Sequence, residues 1–96
     1  MVGKERIDDC LSTRNGHLFI EALDTVEIVE RFGSPVFVVS EDQLRRNIRR
    51  FQKGFEAGWT DGPVKVMPAA KASWSSAVQK IIASEGCGCD IYSAGE

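Results

Sequence analysis

The sequence predicts an α/β fold, and three observations carry that prediction. Short β-rich runs, Pro35 to Val39, Val64 to Ala70 and Asp90 to Ser93, alternate with segments of helical period. The longest helical segment, from Ser40 to Gly58, is both capped and amphipathic. A composition of 43% hydrophobic and 27% charged residues over 96 positions belongs to a folded chain and leaves room for one domain at most. A complete eight-stranded α/β barrel needs about 250 residues, so a chain of this length holds only part of one.

Taken in order, the first dozen residues carry no sustained period and read as a loosely ordered lead. Asn15-Gly16 marks a turn, and His17 to Ala22, with Leu18, Phe19 and Ile20, follows as a short strand. Asp24 with Glu27 three residues later forms a capping box for a short helix whose apolar residues are Val26, Val29 and Phe32. Gly33 and Pro35 stop it. Pro35 to Val39 reads as a strand buried on both faces, with proline tolerated at its first position.

Ser40 then caps the next helix, with Gln43 completing a capping box and Glu41 and Asp42 at the positive end of the dipole. Leu44, Ile48, Phe51 and Phe55 fall at i, i+4, i+7 and i+11, one apolar face that needs a partner, and Gly58 ends the run. Arg45, Arg46, Arg49, Arg50 and Lys53 read as a solvated face, since Glu41 and Asp42 sit four residues ahead of Arg45 and Arg46. The connection 58–63 carries two glycines and a proline. Val64 to Ala70 forms a strand. Ser73 or Ser75 caps a helix with Ala77, Val78, Ile81 and Ile82 inward, Gly86 or Gly88 ends it, and Asp90 to Ser93 is a further strand. Residues 64–93 thus make a strand–helix–strand unit with parallel strands.

Several function classes are demoted at once. Twelve Lys+Arg against fourteen Asp+Glu, a net charge of −2, offers no electrostatic case for nucleic acid or an anionic membrane as partner. The longest apolar runs fall far short of the roughly 18 residues of a membrane span. The opening MVGKERIDDC has no apolar core of a secretory signal, so a cytoplasmic product is the expectation. Cys10, Cys87 and Cys89 form no metal-ligand spacing with the single histidine, His17, and are read as buried or incidental thiols with no metal.

Chemistry in such folds gathers where the carboxyl ends of parallel strands meet their loops. Lys71 and Ser93 fall there. Alternation sets Lys65, Met67, Ala69 and Lys71 on one face, which would leave Lys71 at the strand end above a small alanine. An inward lysine in a low-dielectric pocket can supply a neutral amine to condense with a carbonyl, whereas a strand-end lysine can equally be a snorkelling surface residue or half of a salt bridge. Asp90 and Glu96 could supply charge to that lysine or cap a turn. No G-x-G-x-x-G, Walker loop or Ser-His-Asp arrangement exists to offer other chemistry.

The runs FGSPVFVV (32–39), MPAAKAS (67–73) and EGCGCDIYSAGE (85–96), in that order and spacing, resemble the start of the diaminopimelate and ornithine decarboxylase family, over roughly residues 16–96. Diaminopimelate decarboxylase is the nearer branch. The resemblance implies a pyridoxal-phosphate enzyme in which Lys71 is the catalytic, cofactor-holding lysine, with Asp90, Ser93 and Glu96 at the cofactor site. It implies the N-terminal portion of a (β/α)8 barrel of the alanine-racemase type, preceded by a strand of a second, β-rich domain. Residues 1–39 would then be lead, short helix and β-domain strand, and residues 40–96 the incomplete start of the barrel. The Pro35 to Val39 strand would be orphaned within this chain. Ser73 stands where the family usually has asparagine, and Pro68 lies inside the presumed strand. The implied activity is decarboxylation of an amino acid, diaminopimelate first, by a homodimer, the 96-residue chain alone being inactive. An ornithine- or arginine-type decarboxylase, or a non-catalytic relative that pairs with another chain, are the alternatives.

Overall fold

A computed structural model describes residues 9–73, 75–91 and 94. The chain forms two compact units, Met1–Leu44 and Arg45–Glu96. In the first, β1 (Leu11–Arg14), β2 (His17–Ile20) and the two-residue β3 (Leu23–Asp24) make an antiparallel sheet in the order β1-β2-β3, followed by α1 (Thr25–Phe32). Asn15 and Gly16 both adopt positive φ, 52° and 78°, as a two-residue hairpin turn that matches strand twist requires. This turn sets the register Leu11↔Ile20 through Arg14↔His17. The expectation of a loosely ordered lead is therefore corrected from Leu11 onward: a two-residue turn needs a strand on each side, and LSTR supplies one although it lacks apolar alternation. Residues 1–8 lie outside the described part.

α1 begins where its sequence places it. Asp24 is the N-cap, its Oδ1 accepting the Val26 N–H at 2.9 Å. Gly33, at φ 86°, closes the helix by donating its N–H to the Val29 carbonyl at 2.8 Å. The same aspartate binds His17: Nδ1 and Oδ2 stand 2.7 Å apart. That hydrogen bond and the carboxylate charge raise the His17 pKa above its ordinary 6.5, and its partner holds Asp24 below 3.8.

The expected strand Pro35 to Val39 is not formed as a ladder; residues 36–40 have no regular secondary structure, and Phe37 is fully exposed. Its β-rich composition is intact, but pairing is a non-local property, and no partner strand faces it among the described residues. The orphaning expected from the sequence thus takes the form of a bare apolar segment.

α2 (Glu41–Gly58) starts at Ser40, whose Oγ accepts the Gln43 N–H at 3.1 Å. Gln43 also reaches back along the chain: its Oε1 accepts the Cys10 N–H at 3.1 Å, while the Cys10 carbonyl accepts from Glu21 N–H at 2.7 Å. These bonds fasten the base of the hairpin to the first turn of α2.

In the second unit the core is small: Ile48, Ala70, Val78, Ile82 and Cys87 are buried. α3 (Ser76–Ser84) contributes Val78 and Ile82 as expected, whereas Ala77 is exposed. Its C-terminus is a Schellman motif. Gly86, at φ 81°, donates to the Ala83 carbonyl at 3.0 Å and Cys87 donates to the Ile82 carbonyl at 3.4 Å. Of the two glycines considered as helix stops, Gly86 is the one used.

Of the strand–helix–strand unit, the described residues show the pairing of 66–70 with 88–90; Tyr92 and Ser93 of the expected Asp90 to Ser93 strand lie outside them. Gly88 N–H donates to Val66 O (2.9 Å), Asp90 N–H to Pro68 O (3.1 Å) and Ala70 N–H to Asp90 O (2.9 Å), a parallel pattern with one formal bridge, Ala69↔Asp90. A second bridge, Met67 opposite Gly88, would need an N–H at position 68. Proline has none, so the ladder is cut there.

Candidate functional site

Lys71 is carried on a single 3-10 turn, Ala70–Ala72, that opens immediately after the bridge to Asp90. The sequence had set it on the strand itself, facing inward; in the structure its side chain is exposed. The reason is local. Ala72 N–H turns back to Ala69 O and Ser73 N–H to Ala70 O, both at 3.1 Å, which ends the extended run at Ala69, two residues before the lysine. No hydrogen bond or ion pair to Lys71 is recorded among the described residues, so it presents an open amine at a strand end.

Asp90 is brought to the same place by main-chain bonds. Its N–H and carbonyl bracket the Pro68 to Ala70 segment, so its backbone lies one register step from the lysine-bearing turn. Its side chain is exposed. Ser93 and Glu96 lie outside the described residues. Gln79 buttresses the turn from α3: its Nε2 donates to the Ser73 carbonyl at 2.8 Å, and its Oε1 lies 3.8 Å from the Cys89 thiol.

Small residues make this approach possible. A Cβ on Gly88 would lie 2.9 Å from Met67 Cγ and 3.1 Å from its Cε, so glycine lets the two segments close without displacing the Met67 side chain. Met67 and Lys65 both reach over that glycine, which agrees with the shared strand face expected for Lys65 and Met67. Lys65 is held away from Lys71's surroundings by donating to the Gly86 carbonyl at 3.2 Å.

Two members of the basic row of α2, Arg45 and Arg49, do more than form a solvated face, while Arg46, Arg49 and Lys53 are exposed as expected. Arg45 Nη1 binds Glu85 Oε1 at 3.0 Å, and Arg49 grips both oxygens, Nη2 to Oε1 at 2.8 Å and Nε to Oε2 at 3.0 Å. The Arg49 and Arg45 hydrogen bonds hold the Glu85 carboxyl below its ordinary 4.5. Sequence reasoning missed Glu85. The available signal was an acid at a helix C-terminus, where the dipole disfavours it unless a cation answers it.

An apolar groove of 490 Å³ runs between Ile48, Phe51 and Phe55 of α2 and the segment 64–68. Lys71 and Asp90 do not line it, so the groove is a packing surface separate from the amine. Cys10, Cys87 and Cys89 are free thiols, buried at Cys87 and exposed at Cys89.

The chain matches no protein-family model. It is 35% identical over 92 residues to the diaminopimelate decarboxylase of Methanocaldococcus jannaschii, covering 93% of this chain and 21% of that protein. Identity to the diaminopimelate decarboxylase of Archaeoglobus fulgidus is 39% over 85 residues, 88% of this chain and 19% of the relative. The crystal structure of the M. jannaschii enzyme superposes with a TM-score of 0.82 at 34% identity, over 93% of this chain and 21% of that one. Its complex with L-lysine gives 0.84 at 31% identity over 95% and 21%. The chain thus spans about one-fifth of the curated relatives it matches.

Proposed function

We propose, from a chain that belongs to the diaminopimelate decarboxylase family, that this segment supplies the lysine end of a pyridoxal-phosphate site in a decarboxylase. Its substrate would be meso-diaminopimelate, converted to lysine. The observation that carries the reading is the parallel bridge that sets the Asp90 backbone beside the turn bearing Lys71, whose amine has no partner among the described residues.

The residues present suit the cofactor on chemical grounds. Condensation with an aldehyde requires an accessible amine in its neutral form; Lys71 is accessible, with no hydrogen-bond partner among the described residues, whereas Lys65, tied to Gly86 O, is engaged elsewhere, and the pocket that would desolvate Lys71 would come from the rest of the barrel. When bound, pyridoxal phosphate supplies an electron sink for the pair left by the departing carboxylate. Lys71 would hold the cofactor, and Asp90 would add a carboxylate at the same strand end. Ser93 and Glu96 would complete the edge of the site.

The same reading treats residues 40–96 as the opening of a (β/α)8 barrel and residues 1–39 as lead, helix and strand contributed to a β-rich domain. Exposed Phe37, Val39, Phe51, Phe55 and Met67 are apolar surfaces of the kind that further strands and helices cover. The protein would act in the cytoplasm as a homodimer; among the described residues no helix is long and apolar enough to cross a membrane. An L-lysine complex of the M. jannaschii relative is in keeping with an amino-acid ligand.

The test is chemical. The full-length protein carrying this segment, loaded with pyridoxal phosphate, reduced with borohydride and digested, should yield the cofactor-modified peptide at Lys71. Modification at Lys65 or Lys80 instead would overturn the assignment. Lys71→Ala should remove the adduct, and in the 96-residue chain it should leave thermal stability nearly unchanged, because the side chain is exposed and makes no hydrogen bond or ion pair among the described residues.

A further inference from the structure

We infer that Glu85 is a positioning residue for this site: clamped by two arginines and a glutamine of α2, it fixes the entry of the second strand so that Asp90 meets the Lys71 turn. The inference rests on the reading of Lys71 and Asp90 as the cofactor end of the site. The pairing that aligns them is short of a donor, since Pro68 has no N–H to give, and among the described residues it holds three hydrogen bonds over residues 66–70. Register must therefore be held from outside the ladder.

The side chains of Arg45, Arg49 and Gln52, at i, i+4 and i+7 on one face of α2, all converge on the chain just upstream of Asp90. Arg45 Nη1 donates to Ser84 Oγ (2.8 Å) as well as to Glu85, and Gln52 Nε2 donates to the Glu85 carbonyl (3.1 Å) and lies 3.5 Å from Cys87 Sγ. With the bidentate Arg49 contact, the Glu85 carboxylate is nine-tenths covered, its side chain 9% exposed. From the other side Lys65 holds Gly86 O, and Met67 lies over Gly88. The run 84–88 is thus gripped on both flanks before it pairs. The Schellman turn alone would set where α3 ends, but it needs no carboxylate; only the clamp explains an acid at this C-cap.

A residue that merely adds stability would, when altered, raise amide exchange throughout the second unit. A positioning residue acts on the ladder. In the full 96-residue chain, Glu85→Gln should speed amide hydrogen exchange at Asp90 and Ala70 by about tenfold, while Gln79, inside the first turn of α3, changes by less than about twofold. Glu85→Asp, which keeps the charge, should restore part of the protection. If Glu85→Gln is too unstable to study, Arg49→Lys should give the same pattern at smaller amplitude. Equal acceleration at Gln79, Asp90 and Ala70, or none at the last two, would overturn the inference. A borohydride adduct away from Lys71 would instead overturn the cofactor reading and leave the exchange result to decide the clamp.

Discussion

Gly86 and Gly88 stand two residues apart, and alanine at either should destabilise the second unit for different reasons. At Gly86 there is no atom within 4 Å of a built Cβ, but φ is 81°. A side chain in that left-handed region costs about 1–2 kcal/mol, and the stiffer unfolded chain returns about 0.4–1 kcal/mol. The net is about 1 kcal/mol, all of it backbone. At Gly88 the backbone is not left-handed, and the obstacle is Met67, whose Cγ would stand 2.9 Å and Cε 3.1 Å from the new methyl. Carbon atoms prefer about 3.5–4.0 Å. Overpacking costs about 1–3 kcal/mol; Met67 is 53% exposed and can give way, which favours the lower end. Less the same unfolded-state return, Gly88→Ala should cost about 0.5 kcal/mol. Removing the obstacle separates the two. In a Met67→Ala background, Gly88→Ala should turn stabilising by about 0.4–1 kcal/mol, a coupling of about 1 kcal/mol, while the effect of Gly86→Ala should be unchanged. Urea unfolding followed by tryptophan emission suits the measurement, because Trp59 belongs to the second unit. Coupling of Met67 to Gly86, or none to Gly88, would refute the reasoning.

Two further outcomes are expected in the first unit. His17 titrates above 6.5 because protonation gains the Asp24 bond, so that stabilisation is complete below 6.5 and lost as pH rises through the raised folded value; at the acid end it fades as pH falls below 3.8 through the lowered Asp24 value. Asp24→Asn keeps an N-cap but removes the charge, and the imidazole proton resonances of His17 should then titrate near the ordinary value; an unmoved midpoint would contradict the pair. Ser40→Ala removes both the acceptor of the Gln43 N–H and the donor to Glu21 Oε1 and should cost about 1 kcal/mol, measured by thermal unfolding at 222 nm, with Ser40→Thr, which keeps the hydroxyl, largely neutral.

What could be read from the sequence was local. Asp24 and Ser40 as caps, Gly33 and Gly86 as stops, and the inward pair Val78 and Ile82 depend on neighbours within a turn or two, and each is found where the pattern puts it. Phe51 and Phe55 share the predicted stripe, yet they are half exposed and touch each other at 4.8 Å, because a stripe says which face is apolar and not what covers it. β1 escaped a search for alternation because its only apolar residue is Leu11; the Asn15-Gly16 turn was the better guide. At the site, position sets Lys71 at a strand end and the family resemblance adds Asp90; the backbone brings the two to one strand end, but order and spacing do not decide their roles. They did not reveal the 3-10 turn under Lys71, which arises from main-chain bonds to Ala69 and Ala70. Nor did they reveal the Glu85 clamp, whose partners lie 36 and 40 residues away along the chain.

The hairpin has a consequence in time. Its pairings join residues at most about ten apart, and α1 begins directly behind it, so this piece can assemble on the microsecond scale of about 1–10 μs for hairpins. At about 5–20 residues per second of synthesis, Asp90 leaves the ribosome roughly 3–13 s after Asp24. During those seconds the nascent chain would present a folded hairpin and helix followed by Val36, Phe37, Val38 and Val39 with no strand beside them. Aggregation during expression should therefore respond to a charge placed at the fully exposed Phe37 more than to any change near Lys71.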